Sequence, residues 1–238
     1  MAQVSGHLGC DIEDLAAISV FRDLPQAVCS DIAALCRKRR VPAGEMIVAD
    51  HDASSDVHFL LAGRARALIY AHSGKAVIFQ DIPAGGFFGE LAAIDGRRRS
   101  ATVEALDDCD LLLLPAPAFR DLLARHSAFA ELFLTHLVSE VRRLSNRVVE
   151  FRTLAVQHRI HAELLRLTKG VDADGDRALI APAPTLAEIA DRVSTHREAV
   201  SRELSRLAKL DLLQRTEGGL LVKRLSRLEE MVRDAKGE

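Results

Sequence analysis

The chain has 238 residues, 48% of them apolar, enough to bury one full-sized core and a second, smaller one. Its 32 Lys/Arg against 34 Asp/Glu leave a formal net charge of −2, which excludes a protein that holds nucleic acid by bulk charge; any such binding must come from a local basic surface. No apolar run approaches the roughly 18 to 20 residues of a membrane span, and the opening MAQVSGHLGCDIEDLAAI has neither the basic start nor the apolar stretch of a signal peptide. The expectation is a soluble, cytoplasmic chain with no membrane partner, whose scattered cysteines (Cys10, Cys29, Cys36, Cys109) are free thiols in small core positions rather than a disulfide framework.

Over the first 36 or so residues short helical patterns alternate with breaks, and Leu24, Val28, Ile32 and Leu35 recur at helical spacing after a Pro25 start signal. From Arg39 to about Pro117 the character changes. Short β-prone runs (MIVAD, VHFLLAG, ARALIYA, AVIFQDI, ATVEAL, CDLLLL) are separated by turn signals such as PAGE, HSGK and PAGG, a pattern for an antiparallel barrel or sandwich.

Beyond Pro117 the helical period returns for some 35 residues. Ala130, Leu134, Leu137, Val141, Leu144, Val148, Phe151 and Ala155 follow a 4-3-4-3 spacing, the seam of a coiled coil, with Glu140, Arg142, Arg143, Arg147, Glu150 and Arg152 on the flanks. One β-domain could bury one side of such a helix, but the heptad register favours a parallel homodimer. The stretch KGVDADGDRALIAPAPT then breaks the helices. Thr185-Leu-Ala-Glu188 and Thr195-His-Arg-Glu198 are capping-box spellings that open two short helices across a tight turn at Arg192-Val193-Ser194. LDLLQRTEGGLLVKR reads as two strands around a Glu-Gly-Gly turn, the wing of a winged helix. The expected fold is α+β: a jelly-roll-like β-barrel with N-terminal helices over 1–117, a dimerisation helix over 118–155, and a winged helix-turn-helix over 156–238.

Two segments carry chemistry. In FGELAAIDGRRRSATV, preceded by Gly85 and Gly86, Gly89 permits close backbone approach, Glu90 follows it, and Arg99 precedes the small Ser100 and Ala101. Small residues leave room for an anion beside free N–H groups, and arginine offers fork-like hydrogen bonds to phosphate oxygens; Arg97 and Arg98 read as exposed. Further on, Arg197, Glu198, Ser201 and Arg202 share one face near the start of the second short helix. Arginine matches guanine O6 and N7, and glutamate accepts from cytosine N4. From Pro182 onward eleven Lys/Arg face ten Asp/Glu, so recognition would depend on this face and not on overall charge.

The run GELAAIDGRRRSATVEA resembles the phosphate-binding cassette of cyclic-nucleotide-binding domains. The resemblance implies that Glu90 holds the ribose 2′-hydroxyl, Arg99 the cyclic phosphate of cAMP or cGMP, and Ser100 and Ala101 backbone donors, with Gly89 and Leu91 completing the motif. By register from Arg159, Leu144 and Ser145 fall where the catabolite activator protein has a Thr-Ser pair against the base; Leu144 departs from that pattern, and Ser145 and Asn146 are the candidates. TLAEIADRVSTHREAVSRELSRL closely resembles the helix-turn-helix of the catabolite activator (cAMP receptor)/fumarate-nitrate regulator family of bacterial transcription factors. Its Arg-Glu-x-x-x-Arg spelling is met by Arg197, Glu198 and Arg202, flanked by Thr195 and Ser201, with Ser194 where relatives often have glycine. The implied activity is a DNA-binding homodimer on a palindromic TGTGA-like operator in double-stranded DNA, with RNA polymerase as a further partner.

Rival readings are a same-fold regulator that is ligand-independent or senses redox or another effector, and an enzyme. Cys29 and Cys36 lie too far apart for an iron–sulfur motif, and His158 and His161, three apart on a helix, read as solvated with no carboxylate cluster beside them, so no metal is expected. His72 sits in a turn without an axial partner. With no Walker loop, G-x-S-x-G or H-E-x-x-H, no catalytic residues are expected.

Overall fold

In the computed structural model residues 10–70, 76–169 and 173–237 are described, and they divide into two compact units, the first made of residues 10–70 and 78–139 and the second of residues 76–77 and 140–237. The α+β class is as expected. The first unit opens with α1 (Ile12–Ala16) and α2 (Gln26–Leu35), the latter capped by Pro25 and burying Val28 and Ile32 at the predicted spacing. Eight strands follow: β1 (Arg37–Val41), β2 (Met46–Val48), β3 (Val57–Ala62), β4 (Arg64–Tyr70), β5 (Ala76–Pro83), β6 (Phe87–Phe88), β7 (Thr102–Ala105) and β8 (Cys109–Leu114), with α3 (Glu90–Asp95) between β6 and β7.

They form two antiparallel four-stranded sheets, β1-β8-β3-β6 and β2-β7-β4-β5, a jelly-roll-like sandwich in place of a closed barrel. The apolar run of β8 lacks alternation because both its faces are buried. Cys109 and Leu111 join Leu60, Phe88 and Val103 between the sheets, while Leu112 and Leu114 join Val57 and Phe59 against the helices. β1 was not expected as a strand: RKRRV turns Arg40 outward and Lys38 onto Asp14 at 2.8 Å, and only Val41 enters the core. The HSGK turn and His72 lie outside the described residues.

The single helix expected over 118–155 is two. α4 (Ala116–Arg125) stops at His126, whose extended backbone and Nε2, 3.1 Å from Asp31 Oδ2, redirect the chain into α5 (Ser127–Thr153). The break lets Phe119 of α4 and Phe129 and Phe133 of α5 pack on one another, with ring centroids 4.7 to 5.7 Å apart.

The second unit holds the rest of α5, then α6 (Val156–Leu167), β9 (Ala173–Asp174), β10 (Arg177–Ile180), α7 (Leu186–Arg192), α8 (Arg197–Lys209), β11 (Leu213–Thr216), β12 (Gly219–Val222) and α9 (Leu225–Lys236). Its sheet runs β11-β12-β10-β9, and Ile160, Leu164, Ile189, Val200, Leu207, Val222 and Leu228 form its core. The wing turn stands where Glu-Gly-Gly placed it. A Cβ on Gly219 would lie 2.2 Å from the Ile180 carbonyl oxygen, so the neighbouring strand itself requires glycine there.

Candidate functional site

Phe88 ends β6 deep in the sandwich, and Gly89 then turns left-handed (φ 90°) to start α3. Any side chain at Gly89 is excluded twice, by that φ and because its Cβ would fall 2.4 Å from Arg99 Nη1 and 2.8 Å from the Asp56 carbonyl oxygen. Arg99 is the centre of the arrangement and is only 3% exposed. Its Nε donates to Ser54 Oγ (3.1 Å), Nη1 to the Gly89 carbonyl (3.1 Å) and Nη2 to the Asp56 carbonyl (2.8 Å). Its backbone is tied to the same 51–56 segment by Arg99 N–H to the Asp52 carbonyl and His51 N–H to the Arg99 carbonyl.

Among the described residues no carboxylate forms an ion pair with Arg99. Burial lowers the pKa of its guanidinium, and the more distant charges of Asp56, Asp52 and Glu90 oppose that shift. A buried cation held only by neutral acceptors is electrostatically incomplete, and an incoming anion would complete it. Glu90 and Gly89 are half-buried at the same place, while Leu91 and Ser100 are exposed and Ala101 is half-buried. Arg97 and Arg98 are exposed, as expected. Gly85 and Gly86 serve packing: Ser19 Oγ donates to the Gly85 carbonyl, and a Cβ on Gly86 would meet Ile82 at 2.8 Å.

His58 was missed at this site. It stacks on Phe88 (4.9 Å, 3°), is 3% exposed, and its Nδ1 has no hydrogen-bond partner. Burial, then the charge of neighbouring Arg99, push its pKa down to about 3, so the imidazole is neutral. Within VHFLLAG it sits among residues buried on both faces of β3, where period-2 reasoning has no polar face to assign it to.

In the second unit the Thr185 and Glu188 capping box opens α7, with both reciprocal hydrogen bonds formed. Ser194, at φ 50°, takes the left-handed conformation in the turn for which glycine is the ordinary choice. α8 begins one residue later than the second capping-box spelling predicts: His196 is its N-cap, Thr195 is buried in the turn with its N–H on the Ala190 carbonyl, and the Glu198 carboxylate accepts from Arg197 Nε (3.0 Å). Arg197, Glu198 and Arg202 are exposed and Ser201 is half-buried, while Val200 and Leu207 fill the core on the opposite face. The face expected to read bases is therefore presented outward, without Thr195.

α5 corrects several expectations. Leu134, Val138, Val141, Leu144, Val148 and Val149 are 45 to 64% exposed and form an apolar stripe. The seam ends early, because Phe151 is covered by Arg147 and Arg159, each 5.1 Å from its ring, and Ala155 is the N-cap of α6. Ser145 and Asn146 are exposed on the part of α5 that belongs to the second unit, and Ser145 Oγ donates to the Val141 carbonyl.

Two expected flanking charges turn inward. Arg147 donates to Glu163 (2.9 Å) and to the carbonyl of Arg192, the last residue of α7; Glu150 accepts from Arg166 (2.8 Å), which also donates to Glu163 (2.9 Å). His161 is likewise not solvated. It is fully buried with Nε2 on Glu203, and burial holds its pKa below the usual value against the pull of that carboxylate. No metal-binding cluster occurs among the described residues, and none of their helices is long and apolar enough to cross a membrane.

A β-sandwich with a buried arginine held by neutral acceptors, together with a winged helix-turn-helix, defines a DNA-binding transcription regulator with a cyclic nucleotide-binding domain. Comparison with known proteins agrees: residues 38–126 match the cyclic nucleotide-binding domain family, and residues 158–231 match the Crp-like helix-turn-helix domain family. The cAMP-activated global transcriptional regulator Vfr of Pseudomonas aeruginosa is 28% identical over 190 residues, 76% of this chain and 87% of that protein. A cyclic nucleotide-gated potassium channel of Rhizobium etli is 34% identical over 117 residues, 49% of this chain and 31% of the channel. The solved structure of FixK2 from Bradyrhizobium japonicum superposes with a TM-score of 0.72 at 18% identity, covering 82% of this chain and 96% of that one, a likeness of fold. The chain belongs to the catabolite activator/fumarate-nitrate regulator family of bacterial transcription factors.

Proposed function

We propose that the protein is a cytoplasmic, cyclic-nucleotide-responsive regulator that takes cAMP or cGMP at Arg99 and, as a homodimer, binds a palindromic TGTGA-like operator. The observation that carries this reading is the buried Arg99 guanidinium with three neutral acceptors and, among the described residues, no carboxylate in ion-pair contact, an arrangement that a cyclic phosphate would neutralise. In it Glu90 takes the ribose hydroxyl, backbone N–H groups at Ser100 and Ala101 complete the phosphate contacts, and Ser145 or Asn146 reaches the base. The chain acts as a receptor and turns nothing over.

The apolar stripe from Leu134 to Val149 would be the dimer seam, since that much exposed apolar surface on one helix is unfavourable in a lone chain. Two copies of α8 would then meet half-sites about 34 Å apart. For a full switch the ligand must favour the DNA-competent state by about 5.5 kcal/mol. Arg197 and Arg202 would read bases, and RNA polymerase would be the partner of the bound dimer. Calorimetric titration of the purified protein with cAMP and cGMP tests the reading. Saturable binding of one of them that disappears in Arg99→Ala supports it, and equal binding by wild type and variant sinks the assignment of Arg99.

A further inference from the structure

Far apart in sequence, Cys10 and Cys36 meet in the first unit. Cys10 precedes α1 and is half-exposed; Cys36 follows α2, immediately before β1, and is 6% exposed. Their thiols are close enough to shift each other's ionisation, and both pack on the core cluster that holds Phe129 and Phe133 of α5. Neighbouring groups fix the approach independently. Asp11 N–H donates to Asp14 Oδ2 (2.8 Å), and the same oxygen pairs with Lys38 Nζ (2.8 Å), two residues beyond Cys36 on the start of β1. The chain next to each cysteine is thereby clamped to the other. All four cysteines are free thiols.

We propose that Cys10 and Cys36 are a peroxide-oxidisable pair that closes to an intramolecular disulfide, a modification site separate from both the nucleotide and the DNA sites. Access and chemistry divide the roles. Of the two, only Cys10 is open enough to meet an oxidant, and its thiol is held below the usual pKa, first by Cys36, with Lys38 adding to the effect against burial and the charges of Asp14 and Asp11. The Cys10 thiolate attacks hydrogen peroxide: the S–O bond forms, the O–O bond breaks, and hydroxide leaves, giving Cys10 sulfenic acid. The Cys36 sulfur then attacks the Cys10 sulfur; the S–S bond forms, the S–O bond breaks, and the departing hydroxide takes the Cys36 proton as water. Both sulfurs are oxidised and one peroxide is reduced to water.

Before this second step Cys36 is a poor nucleophile, because the neighbouring Cys10 thiol, burial and the Cys10 charge all raise its pKa. Conversion of Cys10 to the neutral sulfenic acid removes the charge, so the first oxidation prepares Cys36 for the second step. The finished disulfide would tie the α1–α2 layer to the first strand, next to the aromatic cluster that seats the start of α5.

The experiment uses the purified full chain, a few equivalents of hydrogen peroxide, a quench with N-ethylmaleimide under denaturing conditions, and peptide mapping without reductant. Wild type should lose the mass of two hydrogens per chain and yield a linked Cys10–Cys36 peptide, with Cys29 and Cys109 alkylated. Cys36→Ser should stop at Cys10 sulfenic acid, trapped by dimedone. Should Cys36→Ser not fold, Cys10→Ser at the half-exposed position serves: it should leave Cys36 fully alkylated after the same treatment. Four alkylated thiols in treated wild type, or a disulfide joining any other pair or two chains, overturns the proposal.

Discussion

Buried arginines occur in both units of this chain, in opposite company. In the first, Arg99 is held by a hydroxyl and two carbonyls, with no carboxylate in ion-pair contact among the described residues. In the second, Arg147, Arg166 and Arg192 converge on Glu163, itself 3% exposed, with Glu150 pairing Arg166 again. The contrast separates the proposed binding site from a structural joint. Burying a guanidinium carries a desolvation cost in both places. Around Glu163 that cost is offset within the fold, and the product is mechanical: the end of α5 is fastened to α6 and to the last carbonyl of α7, beside the helix-turn-helix turn. On the proposed reading, part of the compensation at Arg99 is left for an anion from solution.

The largest expected effect comes from breaking the joint. Glu163→Ala removes the carboxylate that three guanidiniums share and should cost about 3–5 kcal/mol of stability, read in urea unfolding followed by a probe in the second unit. A loss below 1 kcal/mol would erase the distinction between joint and site. Next comes Arg99→Ala, which should leave a folded protein that has lost about 2–5 kcal/mol of nucleotide binding, roughly thirty- to several-thousand-fold in calorimetric affinity.

Arg197→Ala, an exposed arginine with neither kind of burial, should relax preference at one operator base pair by about 1–3 kcal/mol in competition assays with single-base variants. An equal loss on specific and random DNA would make it a phosphate contact.

The smallest effect sharpens the electrostatics beside Arg99. His58 has a folded pKa of about 3, below the ordinary value of 6.5, so the unfolded chain takes up a proton that the folded chain refuses. Its contribution to stability is complete above pH 6.5 and declines as pH falls through 6.5 toward 3. Between pH 7 and pH 5.5 the loss from this group should be about 1 kcal/mol. His58→Phe should flatten that part of the stability profile, measured by urea unfolding at the two pH values.

What was legible in the sequence follows the same division. Motifs whose geometry is local could be read directly: the Gly89-Glu90 opening and Arg99, the capping box at Thr185, the outward face of Arg197 and Arg202, the wing turn at Gly218-Gly219. Partners distant in sequence could not. Arg147 and Glu150 look like coiled-coil flanks, since nothing near them announces Glu163 or Arg166. His161 looks solvated for want of Glu203, and the Cys10–Cys36 contact spans two helices.

Some elements were hidden by composition. β1 spells RKRRV and shows only one apolar residue to the core, and the β9–β10 hairpin lies in a stretch read as a helix break, although Gly175-Asp176 marks its turn. The final helix α9 is marked in the sequence only by the spacing of Leu225, Leu228 and Val232. The break at His126 reflects the aromatic packing of α4 on α5, which the continuous helical period conceals.

The central claim joins the two units: nucleotide bound at Arg99 controls DNA reading by α8. Fluorescence anisotropy of a labelled TGTGA-N6-TCACA duplex, titrated with the protein at one fixed salt concentration, alone and with saturating cAMP or cGMP, tests it most directly. The account predicts sequence-specific binding that is strengthened by one of these nucleotides and not strengthened in Arg99→Ala. Specific binding of equal affinity with and without either nucleotide would contradict it.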